Sequence, residues 1–202
     1  MVDVATQLWL WDKDLSSFLA VNSRPESEIA ELRPIFLVME WLVHGIPWLV
    51  VTAISMFVCL RYQFDRTVTD RFTVLLFGLL LDLAAIGVSK MSVRRRRPPY
   101  DKKDQVYEAP VVDKYSFPSG HSSRGAMLAV LGLNIVREGS WSAFLLKCFA
   151  LLLGLSRVMA GRHYVSDVLA GLLLGWCEGM FILYLVPDSF ITFLQSLVPF
   201  TH

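Results

Sequence analysis

The chain has 202 residues, enough for one domain, and a formal net charge of +1, which removes the electrostatic case for a nucleic-acid-binding protein. Apolar residues make up 54% of it and charged residues only 18%, a balance unlike that of an ordinary soluble domain. The charges cluster between long apolar runs, so the sequence reads as an integral membrane protein.

Residues 5–21 mix Leu, Trp and Phe with Asp, Lys and Ser. Asp12, Lys13 and Asp14 in the middle argue against a spanning helix. They favour an amphipathic helix in the interface, with Trp9 and Trp11 at the headgroup level. No basic region followed by an apolar core and a small-residue cleavage site is visible, so no cleaved signal peptide is expected. The polar stretch Val21 to Glu28, with Pro25, reads as a linker. The next apolar run, Ile35 to Leu60, contains Glu40, His44, Gly45 and Pro47. Pro47 removes a backbone donor and predicts a kink or break there. Arg61 to Arg71 reads as a charged loop, and residues 72–92 as a clean span that carries Asp82 and ends at Lys90. Arg94 to Phe117 is a polar connector with Pro98, Pro99 and Pro110, too long for a tight turn. Helix is predicted to resume at His121 and run to about Val136. Trp141 to Ser156 crosses back, and His163 opens a last span that ends before Pro187. Residues 188–200 read as an interfacial tail. Cys59, Cys148 and Cys177 all fall in apolar segments with no CxxC pair, which suits lipid- or core-facing thiols rather than disulfides or metal ligands.

These crossings place the polar groups. Lys90 closes one span and His121 opens the next; Arg157 closes the following one and His163 opens the last. Alternation therefore puts all four on one membrane face. Asp167 lies one turn deeper than His163 on the same helix face, where it can accept a hydrogen bond from the imidazole and fix its tautomer. Lys90, Arg97 and Arg157 bring permanent positive charge to one place. Guanidiniums grip phosphate oxygens in bidentate fashion, and a lysine adds a point charge. Ser119-Gly120, just before a helix start, offers a hydroxyl and free backbone donors aimed at an anion.

Each piece has a plainer reading. Lys90 and Arg94 to Arg97 suit a juxtamembrane basic anchor, and Pro118-Ser119-Gly120 suits a turn into a helix. Arg157 is harder to dismiss, because a cation inside a span costs about 2.5–3.5 kcal/mol on insertion scales. Taken jointly, an acid-backed histidine, a second unbacked histidine and several cations describe phosphoryl transfer through a phosphohistidine. Arg124 follows His121 by three residues and is placed to face the same pocket and engage a second phosphate; a headgroup-facing arginine is the other reading. Glu178 returns to nearly the face of Asp167 and is expected to point into the bundle, towards His44 or Asp82.

Lys90-x6-Arg97-Pro98, Pro118-Ser119-Gly120-His121 and Ser156-Arg157-x5-His163-x3-Asp167 resemble the three signature motifs of the type 2 phosphatidic acid phosphatase superfamily, over roughly residues 75–185. Val93 to Pro98, Asp113 to Pro118 and Gly154 to Met159 resemble its polyisoprenoid (presqualene) diphosphate phosphatase branch. The resemblance implies an all-α, polytopic membrane bundle of about four to six membrane helices, with the phosphatase/haloperoxidase-like core and amphipathic interfacial helices. On this reading residues 1–70 form an N-terminal region, 71–187 the catalytic core and 188–202 a tail of one domain. The resemblance also implies that His163 attacks phosphorus, that Asp167 orients it, and that His121 protonates the leaving oxygen. Lys90, Arg97, Ser119, Gly120 and Arg157 would bind the phosphate, joined by Arg124 on its spacing. No metal or other cofactor is implied, and the sequence lacks the clustered acids that two Mg²⁺ ions would need. The implied substrate is an isoprenoid diphosphate or monophosphate, the implied surroundings are membrane lipids, and the implied location is the endoplasmic reticulum or nuclear envelope. No nucleic-acid partner is expected, and self-association is left open. Rival readings are a broader phosphatase of phosphatidate or lysophosphatidate, a silent scaffold relative, and a soluble haloperoxidase. The complete histidine pair argues against the silent relative, and the long apolar runs argue against the soluble enzyme.

Overall fold

A computed structural model describes residues 3–24, 26–104 and 114–198 of the chain. Pro25, Pro110, Asp113 and the end of the predicted tail lie outside the described residues. The described chain is helical: α1 (Val4–Leu19), α2 (Arg33–Leu42), α3 (Gly45–Arg61), α4 (Arg66–Val93), α5 (Gly120–Leu133), α6 (Trp141–Met159), α7 (Val165–Leu185) and α8 (Asp188–Ser196). Short 3₁₀ turns, Val21–Ser23 and Ala30–Leu32, join α1 to α2. An isolated bridge between Arg96 and Tyr115 ties the two ends of the polar connector together.

Among the described residues four stretches are long and apolar enough to cross a membrane: Ala30–Arg61, Arg66–Val93, Trp141–Met159 and Val165–Leu185. Leu80, Val88, Leu151, Leu169, Leu173 and Trp176 stand exposed on α4, α6 and α7, as side chains facing lipid would. The first of these stretches is broken, as Pro47 predicts, but the break falls at Val43 and His44. Pro47 itself sits in the first turn of α3, where a missing N–H costs no helical bond. The charged loop after Arg61 is shorter than expected. Asp65 caps α4 by accepting from the Thr67 N–H at 2.8 Å, so helix begins at Arg66.

α5 differs from its predicted span. It has 14 residues and ends at Leu133. At about 1.5 Å per residue that is shorter than a bilayer core of about 30 Å. Eight of its fourteen residues are buried and none is fully exposed, because it lies inside the bundle against α6, α7 and α4. Small residues on α7 allow this close approach. A Cβ at Gly171 would sit 2.4 Å from the Ser119 carbonyl oxygen, one at Gly175 would sit 1.9 Å from that of Ser123, and one at Gly179 would sit 2.7 Å from Val130. The spacing by fours makes one ridge of backbone for α5 to lie on. Gly175→Ala must push the two helices apart, a cost of about 2–3 kcal/mol by overpacking. Thermal unfolding in detergent checks this: the expected result is a clearly lower midpoint, whereas Gly87→Ala, with nothing within 4 Å of the added Cβ, leaves it in place.

Candidate active site

The ends of four segments converge as the crossing count predicts. A cleft is lined by Glu40, Arg97, His121, Arg157, Arg162 and His163. Two imidazoles and three guanidiniums thus face one space, and a single carboxylate shares it. Lys90, at the last turn of α4, is buried and close enough to act on His163 electrostatically.

His163 lies between α6 and α7, after a turn that needs Gly161 in the left-handed region (φ +76°). The ring is 3% exposed. Its Nδ1 lies 2.9 Å from the Ser116 carbonyl oxygen, which fixes the proton on Nδ1 and leaves the Nε2 lone pair unprotonated. This corrects the expected bond to Asp167. The nearest Asp167 oxygen is 3.7 Å from Nδ1, too far for a hydrogen bond. Asp167 adds negative charge beside the ring, while the backbone oxygen takes the proton. Burial first, then the charges of Arg97 and Lys90, push the imidazole down to about 4, against the raising effect of Asp167. The ring is therefore neutral at neutral pH. The unfolded chain takes up this proton near 6.5 and the folded one only near 4, so this group removes stability as pH falls across that window. An NMR titration of His163 in detergent should show a midpoint close to 4; a midpoint near 6.5 would mean that the ring is solvated.

His121 stands in the first turn of α5, with Nε2 buried and without a hydrogen-bond partner among the described residues. The ring lies 6.3 Å from that of His44. Ser119 caps α5: its oxygen accepts from the Ser122 hydroxyl at 2.8 Å, and its own N–H donates to the Asp167 carbonyl at 3.0 Å. The cap hydroxyl is therefore committed to the helix in this state, with Gly120 beside it against Ile86. Arg97 enters the cleft from the connector, 3.7 Å from Asp101.

Arg124 is a correction. It turns from the cleft, and its guanidinium pairs with Asp82 at 2.8 Å and donates to the Val43 carbonyl at 3.0 Å. The i+3 spacing put it on the right side of α5, but an acid buried on α4 captures it. Glu178 points into the bundle as expected, where it meets Ser123 at 3.5 Å and lies against Asp82 rather than His44.

Several participants had no role in the sequence reading. Arg162, adjacent to His163, is 1% exposed and held by Asp101 at 2.9 Å and Asp104 at 2.7 Å. Arg95 lies under the site and donates to Asp12 at 2.5 Å, Asp167 at 2.6 Å and Ser166 at 2.6 Å. Its guanidinium also lies over two neighbouring rings, Trp9 at 4.3 Å and Tyr164 at 4.0 Å, whose centroids are 5.2 Å apart. α1 completes this base. The Asp12 carboxylate accepts from the Ser166 N–H at 3.0 Å and the Ser16 hydroxyl from the Val165 N–H at 2.8 Å, while Asp167 accepts from the Tyr164 N–H at 2.9 Å. The orphan donors that open α7 are thus satisfied by side chains, two of them from the far end of the chain. Arg95→Ala strands the buried carboxylate of Asp167 and the half-buried one of Asp12, and is expected to cost about 3 kcal/mol or more. Thermal unfolding measures that loss, and an unchanged midpoint would show that the network carries no stability. Among the described residues no group of three or more His, Cys, Asp or Glu side chains is placed to hold a metal ion.

The model of the PAP2 superfamily matches residues 71–191. The chain is 35% identical over 133 residues to an Arabidopsis thaliana protein named "Probable lipid phosphate phosphatase beta", covering 54% of this chain and 62% of that one. It is 32% identical over 149 residues to a lipid A 1-phosphatase of Rhizobium johnstonii, covering 63% and 57% respectively. The chain thus spans less than two thirds of the length of these curated relatives. Among solved structures, a transmembrane PAP2-type phosphatidylglycerolphosphate phosphatase from Bacillus subtilis superposes with a TM-score of 0.63 at 24% identity, over 98% of this chain and 90% of that one. LpxE of Aquifex aeolicus superposes with a TM-score of 0.57 at 22% identity, over 84% and 93%. These likenesses show a shared membrane fold.

Proposed function

Since the chain belongs to the PAP2 superfamily, we propose that it is an integral membrane lipid phosphatase that works through a phosphohistidine on His163. The observation that carries this reading is the single cleft where both imidazoles and three guanidiniums meet. In the first step the Nε2 lone pair of His163 forms a bond to phosphorus. The bond from phosphorus to the lipid-side oxygen breaks, and that oxygen takes a proton from His121. Negative charge on the bound phosphate favours the protonated form of His121 that this step requires. In the second step a water oxygen attacks phosphorus, His121 takes its proton, and the P–N bond breaks to free inorganic phosphate. Arg97, Arg157, Lys90 and the Ser119-Gly120 start of α5 neutralise and position the phosphate oxygens, and Asp167 supports the imidazole. The cations do the electrostatic work, so the reaction is read as independent of metal.

The substrate reading is an isoprenoid diphosphate. The motif surroundings support it: Val93 to Pro98, Asp113 to Pro118 and Gly154 to Met159 are the stretches of sequence that resemble the polyisoprenoid branch. The location suits it too, since the cleft lies at the ends of apolar helices and a tail can remain in lipid while the headgroup reaches the cations. The broader alternative, phosphatidate or lysophosphatidate, is favoured by the name of the plant relative. Residence in the endoplasmic reticulum or nuclear envelope belongs to the isoprenoid reading. The test is phosphate release from farnesyl, geranylgeranyl and presqualene diphosphates, phosphatidate and lysophosphatidate, all in EDTA. Fastest turnover of a diphosphate is the expected result. Faster phosphatidate turnover would replace the substrate, and loss of all turnover in EDTA would remove the metal-free mechanism.

A further inference from the structure

α2 brings an acid into a site built for an anion. The Glu40 side chain is 7% exposed, and its Oε2 lies 2.7 Å from Arg157 Nη1 and 3.9 Å from Arg162 Nη2. It shares the cleft with His121 and His163. Every nitrogen of the Arg157 guanidinium is engaged: Nε with the Ser156 hydroxyl at 3.3 Å, Nη1 with Glu40, and Nη2 with the Phe36 carbonyl at 3.0 Å. Two of these three partners belong to α2. These bonds use three of the five N–H donors, so a phosphate can take the Nη1 and Nη2 donors now turned to Glu40 and Phe36 only after α2 lets go.

We propose that Glu40 is an internal anion that holds Arg157 and is displaced by the phosphate of the incoming substrate. The inference rests on reading the cleft as a phosphate site, and adds to it a residue that sets the affinity of that site. The physical need is clear. A buried guanidinium without a counter-charge is costly, so a substrate-binding arginine at a membrane rim requires a partner between turnovers. Glu40 provides one, and the phosphate provides the other. The architecture allows the exchange. α2 ends at Leu42 and α3 starts at Gly45, so α2 can turn about Val43 and His44 without bending α3. Ile35, Val38, Trp41 and Leu42 on α2 are exposed rather than packed into the bundle. Besides the Arg157 contacts, α2 is held at its start, where Arg33 meets Asp104 at 2.7 Å and the Ala160 carbonyl at 2.9 Å, and at its end, where the Leu42 carbonyl accepts from Trp48 Nε1 at 2.6 Å. Displacement reduces the affinity of every anion by one factor, because the penalty belongs to the enzyme and not to the ligand. Weakly held anions, such as the phosphodiesters of surrounding lipids, are then kept out, while a terminal phosphate still binds.

The test compares inhibition of the whole chain in detergent by orthophosphate and by orthovanadate, for wild type and Glu40→Gln. If the latched state outweighs the open one by about ten to one, both inhibition constants fall about tenfold in the variant, and by the same factor. Constants that stay level or rise in Glu40→Gln overturn the proposal, since a residue that merely orients Arg157 would weaken anion binding when changed. Glu40→Asp, which draws the charge back by one methylene, gives the same readout with a smaller tightening where the Gln variant does not fold. A wild-type protein that releases no phosphate from any lipid phosphate and binds neither anion would remove the phosphate-site reading itself. A working enzyme indifferent to residue 40 would remove only the role of Glu40.

Discussion

Replacing His163 with alanine is expected to abolish turnover and, with it, any acid-labile phosphoenzyme. The Ser116 carbonyl lies 2.9 Å from Nδ1 and keeps the proton there, so the one free lone pair of the ring is on Nε2. Neither the second imidazole nor the guanidiniums of the cleft can replace it. His121 is the other imidazole of the cleft, and in the proposed role of proton donor to the leaving oxygen it would stand on the wrong side of phosphorus to attack it. The arginines carry no usable lone pair at any working pH. Loss of a nucleophile typically lowers the rate by about 10⁴-fold or more, and what is left comes from binding and charge. His121→Ala separates the steps. It should still form the phosphoenzyme from a substrate whose leaving oxygen needs no proton, but it hydrolyses that intermediate slowly, so label accumulates on His163. Rapid turnover with label elsewhere in His163→Ala would end the nucleophile assignment.

Much of the frame was legible in the sequence because a bilayer leaves few solutions. Long apolar runs must be helices, and cations at their ends must face the same side when the crossings alternate. Lys90, His121, Arg157 and His163 could be placed together on that ground, and the structure brings His121, Arg157 and His163 to one cleft with Arg97 of the connector. What could not be read depends on partners far away in the chain. The acceptor that holds His163 is a backbone carbonyl, and a carbonyl leaves no trace in residue type. Arg95 looked like one more member of a basic run, and its function appears only when α1 brings Asp12 and Trp9 against it. Asp12 looked like an argument against a spanning helix. In the fold it caps α7 across 154 positions of sequence. Glu40 was visible as an acid in an apolar run, but its choice of Arg157 on α6 is tertiary. The glycines at 171, 175 and 179 did carry a signal, since their spacing by fours marks a face that another helix can approach closely.

Arg157→Lys is expected to lose most activity while keeping its charge. A guanidinium is planar and offers donors in a fixed fork, which matches two phosphate oxygens at once; an ammonium is a point charge on a flexible stem. The surroundings of Arg157 are shaped to the fork. Ser156, Glu40 and Phe36 each take a different nitrogen, and the side chain is 2% exposed, so nothing else fills the space that a shorter donor leaves. Lysine can reach one of these partners but not hold the planar arrangement. A charged, bidentate contact made to the phosphate is worth more than a neutral hydrogen bond, about 1.5–3 kcal/mol, or roughly ten- to hundredfold in rate if it is realised in the transition state. The expected split is a larger fall in kcat than rise in KM, because charge on the equatorial oxygens is gripped most tightly as the P–O bond breaks. Wild-type rates in Arg157→Lys would show that only the charge matters. A change confined to KM would show instead that Arg157 binds ground state and transition state alike, and that the burden of stabilisation falls on Arg97 and Lys90.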